Sequence, residues 1–395
     1  MTSSALGGIR VIDISSIASA AWCSRLLAGF GASVVQVEPP GGHRLRQFDD
    51  PSLAALAEYV LAGKEVLPLD ARTPNGRQAL LDCISTADVV VSSMTGPELV
   101  ASGLSYADLG RPDLIMVHIT HYGVDGELAD SPANDLAVAA RSGWAAINGR
   151  ADKPPLKPSG SQVSYCAGVA AFAGVVAALI HRDAHPGEGQ EIDVAELDTM
   201  VQALAPAILR ALYAGEVAPR ATDTDITTGP VPVADGHFAL TISRAHFWRD
   251  AMNLLGLPDL ASDPRWEVSW YRQQHKSEYV DHVQEKMSAW TKEHLFDELA
   301  ARRVVAGPVL EFHELTKNEH LLARGYWGAG GDQSGAGAPF KMSATPWRAM
   351  PGPANTPKSS LAAHPNNHAR PTDPRSRGPL SGTRGIVLTQ AWAGA

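Results

Sequence analysis

Residues 10–38 have the sequence RVIDISSIASAAWCSRLLAGFGASVVQVE, and this stretch decides the fold. Its first part, Arg10–Ile14, is a short apolar run typical of a buried strand. Ala20–Ala28 have helical character, and Gly29 and Gly31 end that helix. Ser33–Glu38 are a second apolar run. A strand, a helix and a strand within about thirty residues are typical of a βαβ unit, which predicts a parallel sheet.

The same alternation continues along the first half of the chain. Further strands are predicted at Val66–Asp70, Asp88–Ser92 and Leu114–Thr120. Helical segments are predicted at Gly76–Thr86 and Tyr106–Leu109. Together these elements predict an α/β fold with a Rossmann-like open parallel sheet.

The character of the chain changes after this sheet. Residues 160–215 are rich in Ala, Val, Leu and Gly and predict two helices separated by residues 183–189. Farther on, alternating residues around Asp235-Gly236 predict a hairpin, and amphipathic helices follow it. The second half of the chain therefore predicts a smaller α+β domain.

Composition divides the chain into five parts. They are a large Rossmann-like domain at 1–215, a small α+β domain at 225–330, a return to the large domain at 331–350, a Pro-rich linker at 351–378, and the start of a second, truncated copy at 379–395. The linker has six prolines and little periodic apolar content, so it cannot bury a core.

The second copy is inferred from a repeat. Residues 379–388 match residues 5–14 in register, with Leu, Gly, Arg and Ile recurring at an offset of 374. A fixed offset indicates a duplicated unit, and the alternative is a chance match over few positions. A duplication predicts a tandem protein of which this chain is the first half. In such a protein one copy can carry the chemistry alone.

Composition excludes several classes of protein. The 395 residues carry a formal net charge of −9, which argues against a general nucleic-acid binder. No polybasic block indicates anchoring to a membrane, and the longest uncharged apolar run, 166–180, is shorter than the roughly 20 residues of a spanning helix. Three scattered cysteines and no recognisable signal peptide favour a reducing cytoplasm.

Residue chemistry alone gives weak support for a nucleotide or metal site. Glu38 could hold a ribose hydroxyl at the end of its strand, but the first turn has no G-x-G-x-x-G, which argues against NAD. His43 and His121 have no partner at metal-ligand spacing. Solvated or locally hydrogen-bonded histidines are therefore expected, and no metal site is predicted.

Asp135 and Ser164 each admit a structural and a functional interpretation. Asp135 follows Asn134 at a candidate helix start, where a carboxylate favours the helix dipole. Ser164 precedes the small-residue helix that is predicted to start near Gly168, so it can cap that helix. The alternative is that Ser164 is a nucleophile or a ligand contact, although no G-x-S-x-G elbow surrounds it.

A series of short motifs occurs in a fixed order along the chain. They are the opening strand at 6–13, LAGFGASVVQVEPPGG at 27–42, Gly63-Lys64, TPNGR at 73–77, Asp135-Leu136, GEGQEID at 187–193, DPR at 263–265 and AGPV at 306–309. This series resembles CoA-transferase family III, which contains formyl-CoA transferase, carnitine CoA-transferase and α-methylacyl-CoA racemase. The resemblance covers the chain to about residue 350.

The resemblance implies a fold and a reaction. The fold is a Rossmann-like large domain completed by the C-terminal segment, with a small domain joined by long linkers, in an interlocked dimer of two chains. The reaction is transfer of CoA between an acyl-CoA and a carboxylic acid. A catalytic aspartate attacks the thioester to give an acyl anhydride, CoA returns to that carboxylate, and the aspartyl-CoA thioester passes CoA to the acceptor.

At the catalytic positions the chain departs from the family. The position of the catalytic aspartate, four residues before Gly168, is Ser164, whose hydroxyl cannot form an anhydride or accept CoA. The histidine that the racemase branch uses before the aspartate-leucine pair is Asn134, which has no useful proton affinity near neutral pH. Asp135 is the nearest remaining carboxylate by motif.

The resemblance also assigns CoA-binding positions. Leu69 and Arg72 correspond to contacts on the adenine side, with arginine in place of a lysine. Ala18 replaces a glutamine of the first turn, Pro39 replaces an arginine after the second strand, and Ser93 replaces an asparagine. These substitutions predict weak or absent binding of CoA.

The expected function follows from both sets of substitutions. We expect a CoA-transferase-like chain that is a poor catalyst by itself and that forms a homodimer or pairs with a homologous domain bearing the catalytic carboxylate. The alternative from another class is a non-catalytic scaffold or CoA-binding partner of an active homologue. A third interpretation is an active transferase that uses Asp135 in place of the missing aspartate.

Overall fold

The βαβ unit predicted at the start of the chain is present. The computed structural model has strand β1 at Arg10–Asp13, helix α1 at Ala18–Gly29 and strand β2 at Ser33–Glu38. The two strands run parallel, with Ile12 opposite Val35. Both strands are almost wholly buried, as apolar strands covered on both faces of a parallel sheet are.

The structure describes residues 4–217, 220, 230–240, 245–327, 335–348 and 354–355. The chain forms two compact units, and the larger contains Met1–Ala146, Lys157–Ala218 and Gly325–Ala395. Up to residue 217 the further elements are α2 Pro51–Leu61, β3 Glu65–Pro68, α3 Pro74–Ser85, β4 Val89–Ser92, α4 Gly96–Ser102, α5 Tyr106–Leu109, β5 Ile115–Thr120, α6 Asp135–Arg141, α7 Trp144–Ile147, α8 Gln162–Ala184, β6 Gln190–Ala195, α9 Glu196–Ala203 and α10 Ala205–Ala214.

Six of these strands form one parallel sheet in the order β3-β2-β1-β4-β5-β6. Side chains alternate between the two faces along each strand. On one face, Val11, Val34 and Val117 pack with residues of α1 and α8. On the other face, Ile12 and Val35 pack with residues of α3. The predicted Rossmann-like α/β fold is confirmed.

Helix α8 is longer than predicted and closely packed. The prediction started it near Gly168, whereas it begins at Gln162, because no helix-breaking residue precedes the small-residue run. Gly168 faces α1. A Cβ at this position would lie 2.6 Å from the backbone oxygen of Ser19 and 2.7 Å from the Trp22 ring. The absence of a side chain at 168 permits this approach of the two helices.

Within the described part of the chain, α8 is also the helix whose length and hydropathy would suffice to cross a membrane. Its apolar character has another explanation, because Ala167, Ala171, Val175 and Ala178 are buried inside the larger unit. The central helix of a folded domain passes the same test of length and composition.

We expect Gly168→Ala to lower the free energy of unfolding by about 1–3 kcal/mol, because the new methyl group must displace the backbone of α1. Gly174→Ala in the same helix is the matched control, since its Cβ would meet Ile192 at 3.4 Å, an ordinary contact. The control should gain slightly from helix propensity. Urea denaturation measures both variants, and equal stabilities would contradict the close approach at Gly168.

The prediction for residues 160–215 is wrong in one respect. After α8 comes strand β6, which pairs with β5 and places His118 opposite Asp193. Two shorter helices, α9 and α10, follow in place of one second helix. The β6 sequence QEIDVA alternates exposed carboxylates with half-buried Ile192 and Val194, which is the pattern of a strand with one solvated face.

The smaller unit comprises Ile147–Leu156 and Pro219–Arg324. Its predicted hairpin is present, because β7 (Val231–Val233) pairs antiparallel with β8 (Gly236–Leu240). A third strand, β9 (Ala306–Val309), pairs antiparallel with β8 on its other side.

Helices complete the smaller unit. Its core contains Phe238, Trp248, Tyr279 and Met287, which the hairpin and the amphipathic helices enclose. This core agrees with the predicted α+β character of the second half. The helices are α11 Ala245–Leu254, α12 Pro258–Ser262, α13 Ser269–Gln274, α14 Lys276–Met287, α15 Lys292–Ala301, α16 Phe312–Leu315 and α17 Glu319–Ala323.

The chain after residue 324 returns to the larger unit. The guanidinium of Arg25, on α1, lies 4.9 Å from the ring centre of Trp347. Strand β10 (Ala354–Asn355) pairs parallel with β3, so two residues of the predicted linker extend the sheet to seven strands. The rest of that linker, 351–378, and the repeated segment, 379–395, lie outside the described residues.

Candidate active site

Several loops meet at the carboxyl edge of the parallel sheet. Pro39, Leu69, Ser93 and His121 come directly after β2, β3, β4 and β5. The strand order reverses direction between β1 and β4. In open α/β sheets, ligands bind in the crevice at such a reversal, outside the carboxyl ends of the strands. The structure therefore brings the predicted CoA-binding positions 39, 69 and 93 to the edge where a ligand is expected.

The loops after β1 and β4 are joined at this crevice. The amide of Ser16 donates to Oγ of Ser93 at 2.9 Å, and the two hydroxyl oxygens are 3.3 Å apart. Ala18 begins α1 two residues later. Two further predicted positions, Ala18 and Ser93, thus lie at the same crevice, with short side chains in place of the amides of the family.

The positions assigned to the adenine side lie on the loop after β3. Leu69 is partly buried, and its amide donates to the carbonyl of Glu38 at 2.8 Å. Arg72 is paired with Asp70 at 2.8 Å, and its side chain is 82% exposed. The guanidinium therefore remains accessible to a phosphate or to a flat aromatic ring.

Glu38 is already bound and does not face a ribose. Its carboxylate is buried, forms an ion pair with Arg46 and accepts the backbone amide of His43 at 3.1 Å. Nδ1 of His43 accepts the amide of Leu45, and burial lowers the pKa of this imidazole to about 4. His43 is thus the locally hydrogen-bonded residue that was predicted. These contacts support the argument against NAD.

A buried ion pair lies beneath the first turn. Asp13 and Lys64 are completely buried, with Oδ2 and Nζ 3.1 Å apart, and Nζ also donates to Oε1 of Gln36 at 3.2 Å. Burial opposes ionisation of Asp13, yet Lys64 and the Ser24 hydroxyl hold the pKa of its carboxyl below the ordinary value. Asp13 also accepts the amide of Ser15 at 2.9 Å, so the pair holds the start of the crevice.

Ser164 is the third residue of α8 and not its cap. The residue before the helix is Ser161, whose side chain makes no capping hydrogen bond. Ser164 is buried, and its Oγ donates to Oδ1 of Asp135 at 3.0 Å. The predicted capping role is therefore wrong, because the helix starts earlier and the hydroxyl is directed at a carboxylate.

Asp135 begins α6, at the helix start that was predicted. The side chain of Asn134 caps the helix by accepting the amide of Ala137 at 3.0 Å. The asparagine at the racemase histidine position therefore has a structural role here. Because the cap holds the first turn in place, it also fixes the direction in which Asp135 leaves the helix.

The environment of Asp135 changes its acidity. The residue is half-buried, and burial raises the pKa of its carboxyl above the ordinary value. The negative charge of Glu196 acts in the same direction, while the hydrogen bond from Ser164 and the charge of Lys157 oppose it. A raised pKa makes the carboxylate of Asp135 a stronger base than that of an exposed aspartate.

The sequence analysis did not single out Glu196. This residue is buried, and its Oε2 lies 2.6 Å from Nδ1 of His121. His121 is thus locally hydrogen-bonded, as predicted. Glu196 comes directly after β6, so a signal was available, namely a glutamate at the carboxyl end of a strand of the same sheet. That strand itself was not predicted.

These four residues bring a hydroxyl, two carboxyl groups and an imidazole together. The carboxylate of Asp135 can accept the proton of Ser164 or can itself attack a carbonyl carbon. The pair formed by His121 and Glu196 can hold a proton nearby. The arrangement has no carboxyl group at position 164, where the resemblance expects one.

A cavity of about 720 Å³ opens elsewhere in the larger unit. Its lining includes Asp88 and Asp113, which precede β4 and β5, so it lies at the amino edge of the sheet. Among the described residues that line it, neither Ser164 nor Asp135 is present. The reactive groups converge at the carboxyl edge, so we place the candidate active site there.

The open parallel sheet, the small α+β unit and the polar groups at the carboxyl edge define a class of protein. The sequence matches CoA-transferase family III over residues 6–359. The chain belongs to this family, whose members transfer CoA between CoA thioesters and carboxylic acids.

Individual relatives share most of the chain. It is similar to succinate–glutarate CoA-transferase from Agrobacterium fabrum, with 31% identity over 81% of this chain and 84% of that protein. It is 28% identical to the succinyl-CoA–L-malate CoA-transferase beta subunit from Chloroflexus aurantiacus, over 81% and 82% of the two chains. The crystal structure of a CAIB/BAIF family protein from Brucella suis is 26% identical and superimposes with a TM-score of 0.81, covering 90% and 97% of the two chains.

Proposed function

We propose that this protein transfers CoA between an acyl-CoA and a carboxylic acid, and that this chain by itself is a poor catalyst of the exchange. The side chain at 164 carries the proposal. Attack by Oγ of Ser164 on an acyl-CoA gives a serine ester and free CoA, and CoA can then only reverse that step. A carboxylate instead becomes an anhydride, whose second carbonyl accepts CoA and passes it to the acceptor acid.

The acids are proposed to be dicarboxylic. The relatives from A. fabrum and C. aurantiacus carry succinate, glutarate and malate in their names. Succinyl-CoA is therefore the first donor to test, and glutarate is the first acceptor.

We propose that a homologous domain with an aspartate at the position of Ser164 completes the catalytic site, in the interlocked arrangement of the family. A second copy of this chain could form the same dimer but would bring only another serine. Helix α10 supports an interface, because Leu212 and Tyr213 are 74% and 85% exposed. The repeat at 379–388 and the relative named as a beta subunit also support pairing.

A non-catalytic CoA-binding partner is the alternative from another class. Ala18 and Pro39 favour it, because neither side chain offers a hydrogen bond to the nucleotide. Calorimetric titration with CoA and with succinyl-CoA separates the alternatives. Binding without turnover supports a CoA-binding partner, and no binding supports a scaffold.

One contact favours a second catalytic arrangement within this chain. Oδ1 of Asp135 is 3.0 Å from Oγ of Ser164, so its carboxylate lies beside the place of the missing one. Asp135 would attack the thioester as the family aspartate does, and the Ser164 hydroxyl would orient it. The anhydride and the CoA thioester would then form on Asp135.

We expect the purified chain to convert succinyl-CoA and glutarate about 10³-fold or more slowly than the A. fabrum relative, since it lacks the covalent nucleophile. Ser164→Ala should leave the residual rate unchanged. If Asp135 is the nucleophile, Asp135→Asn abolishes that rate, while Asp130→Asn, at an exposed position on the preceding loop, does not. A high rate that no variant changes would contradict both arrangements.

The pH profile gives a second readout of the same experiment. The reactive form of Asp135 is the carboxylate, and burial raises its pKa. The rate should therefore fall with decreasing pH through a pKa above the ordinary aspartate value of about 3.9. A limb at or below that value would exclude Asp135 as the nucleophile.

A further inference from the structure

We propose that His181, His185 and Glu188 form a binding site for a divalent transition-metal ion, with Zn²⁺ as the ion that best fits the ligands, at the end of α8. One ligand atom from each residue lies within 4.8 Å of the others. The two histidines stand four residues apart on the last turns of the helix, so their side chains share one face. Glu188 follows in the turn that leads to β6.

The spacing of the ligand atoms suits a tetrahedral site. Nε2 of His181 and Oε2 of Glu188 are 3.3 Å apart. With metal–ligand bonds of about 2.0–2.2 Å, two ligands of a tetrahedral zinc ion are about 3.4 Å apart. Two histidines and one glutamate are the protein ligands of known three-ligand zinc sites, in which water takes the fourth position.

His185 is held in the orientation of a metal ligand. Its Nδ1 lies 3.1 Å from the carbonyl oxygen of His181. A carbonyl only accepts, so Nδ1 carries the proton and the lone pair is on Nε2. Metal-ligating histidines commonly donate their second nitrogen to a backbone carbonyl in this way. The amide of Glu188 bonds to the carbonyl of His185 at 3.0 Å, which fixes the turn that carries the third ligand.

The position of the site indicates a structural role. The side chains of His181 and Glu188 are 23% and 64% exposed, so an ion can reach them from solvent. A bound cation would join the end of α8 to the turn before β6, where the carbonyl dipoles of the helix favour positive charge. Ser164 is on the first turn of the same helix, about 25 Å away at 1.5 Å per residue. The ion would therefore stabilise the fold without entering the transfer reaction.

The test is a calorimetric titration of tag-free, chelator-treated protein with ZnCl₂. We expect one saturable site per chain with a micromolar Kd, together with a rise in Tm. His185→Gln and Glu188→Gln should each weaken binding at least tenfold. His313→Gln is the matched control, since His313 is an exposed histidine paired with Glu311 at 3.2 Å and lies outside the cluster.

Co²⁺ provides a spectroscopic readout of the same site. Its visible absorption bands report a tetrahedral nitrogen and oxygen environment, and these bands should be absent in His185→Gln and Glu188→Gln. Circular dichroism establishes that both variants are folded, so that lost binding reflects a lost ligand. The absence of saturable binding to the wild-type chain, or binding that both variants retain unchanged, overturns the proposal.

Discussion

Ser164→Asp is expected to raise the CoA-transfer rate of the isolated chain by about 10³-fold. The substitution supplies a carboxylate at the catalytic position of the family, on the first turn of α8. Loss of a covalent nucleophile costs on the order of a million-fold in turnover in enzymes where it has been tested. The expected gain is smaller, because the new carboxyl group lies beside Asp135, whose Oδ1 is 3.0 Å from Oγ of Ser164.

Two carboxyl groups at this separation compete for one proton, which raises the pKa of one of them. The rate of the Ser164→Asp variant should therefore rise with pH through a pKa above the ordinary carboxyl range. Adding Asp135→Asn removes the neighbouring charge and should move this limb to lower pH. The measurement is steady-state conversion of succinyl-CoA and glutarate across a pH series.

Ser164→Asn is the matched control, since it has the shape of the aspartate without its charge and should remain inactive. Mass spectrometry after incubation with succinyl-CoA should detect a CoA adduct on the peptide that contains position 164 in the Ser164→Asp variant. A folded variant that binds CoA yet gains neither turnover nor an adduct would place the chemistry elsewhere.

Lys64→Met is expected to lower the free energy of unfolding by about 3–5 kcal/mol, because it leaves the carboxylate of Asp13 buried without a partner. Both side chains are completely buried, with Nζ and Oδ2 3.1 Å apart. Combining it with Asp13→Asn should recover part of the loss, since no unpaired charge then remains. Arg302→Met is the control for an exposed pair, with Glu298, and should cost less than about 0.5 kcal/mol. Urea denaturation followed by circular dichroism compares the four proteins.

The same pair makes stability depend on pH. The pKa of Asp13 is lower in the folded chain than in the unfolded one. Its contribution is therefore complete above the unfolded value of about 3.9 and is lost as the pH falls through the folded value. The double variant should lose less stability on acidification than the wild type. Equal stability of Lys64→Met and the wild type would show that the pair does not support the first turn.

The central strands could be predicted because their signal is local. β1, β2, β4 and β5 are continuous apolar runs buried on both faces, and their bounds differ from the prediction by at most a residue. β6 was missed because Glu191 and Asp193 interrupt its apolar pattern. Helix α2 was also missed, although Asp50 before Pro51 is a helix-start signal that the structure confirms as a cap.

The contacts of the candidate site could not be predicted, because they join distant segments. The resemblance supplied Asp135 and Ser164 as separate positions, 29 residues apart, and did not supply their hydrogen bond. His121 and Glu196 are 75 residues apart, and Glu196 had no motif of its own. The metal-ligand spacing of His181 and His185 was visible in the sequence, but the third ligand becomes evident only where the helix ends.

The sequence by itself determined the parallel sheet, the hairpin of the smaller unit and the chemical character of position 164, where a hydroxyl replaces an acid. These features depend on local apolar periodicity and on residue identity. Only the tertiary structure decided which groups meet: the Ser164 hydroxyl with Asp135, His121 with Glu196, and Lys64 with Asp13. The physical reason is that the parallel strand order gathers the ends of separate segments at one edge, and local propensity carries no information about that order.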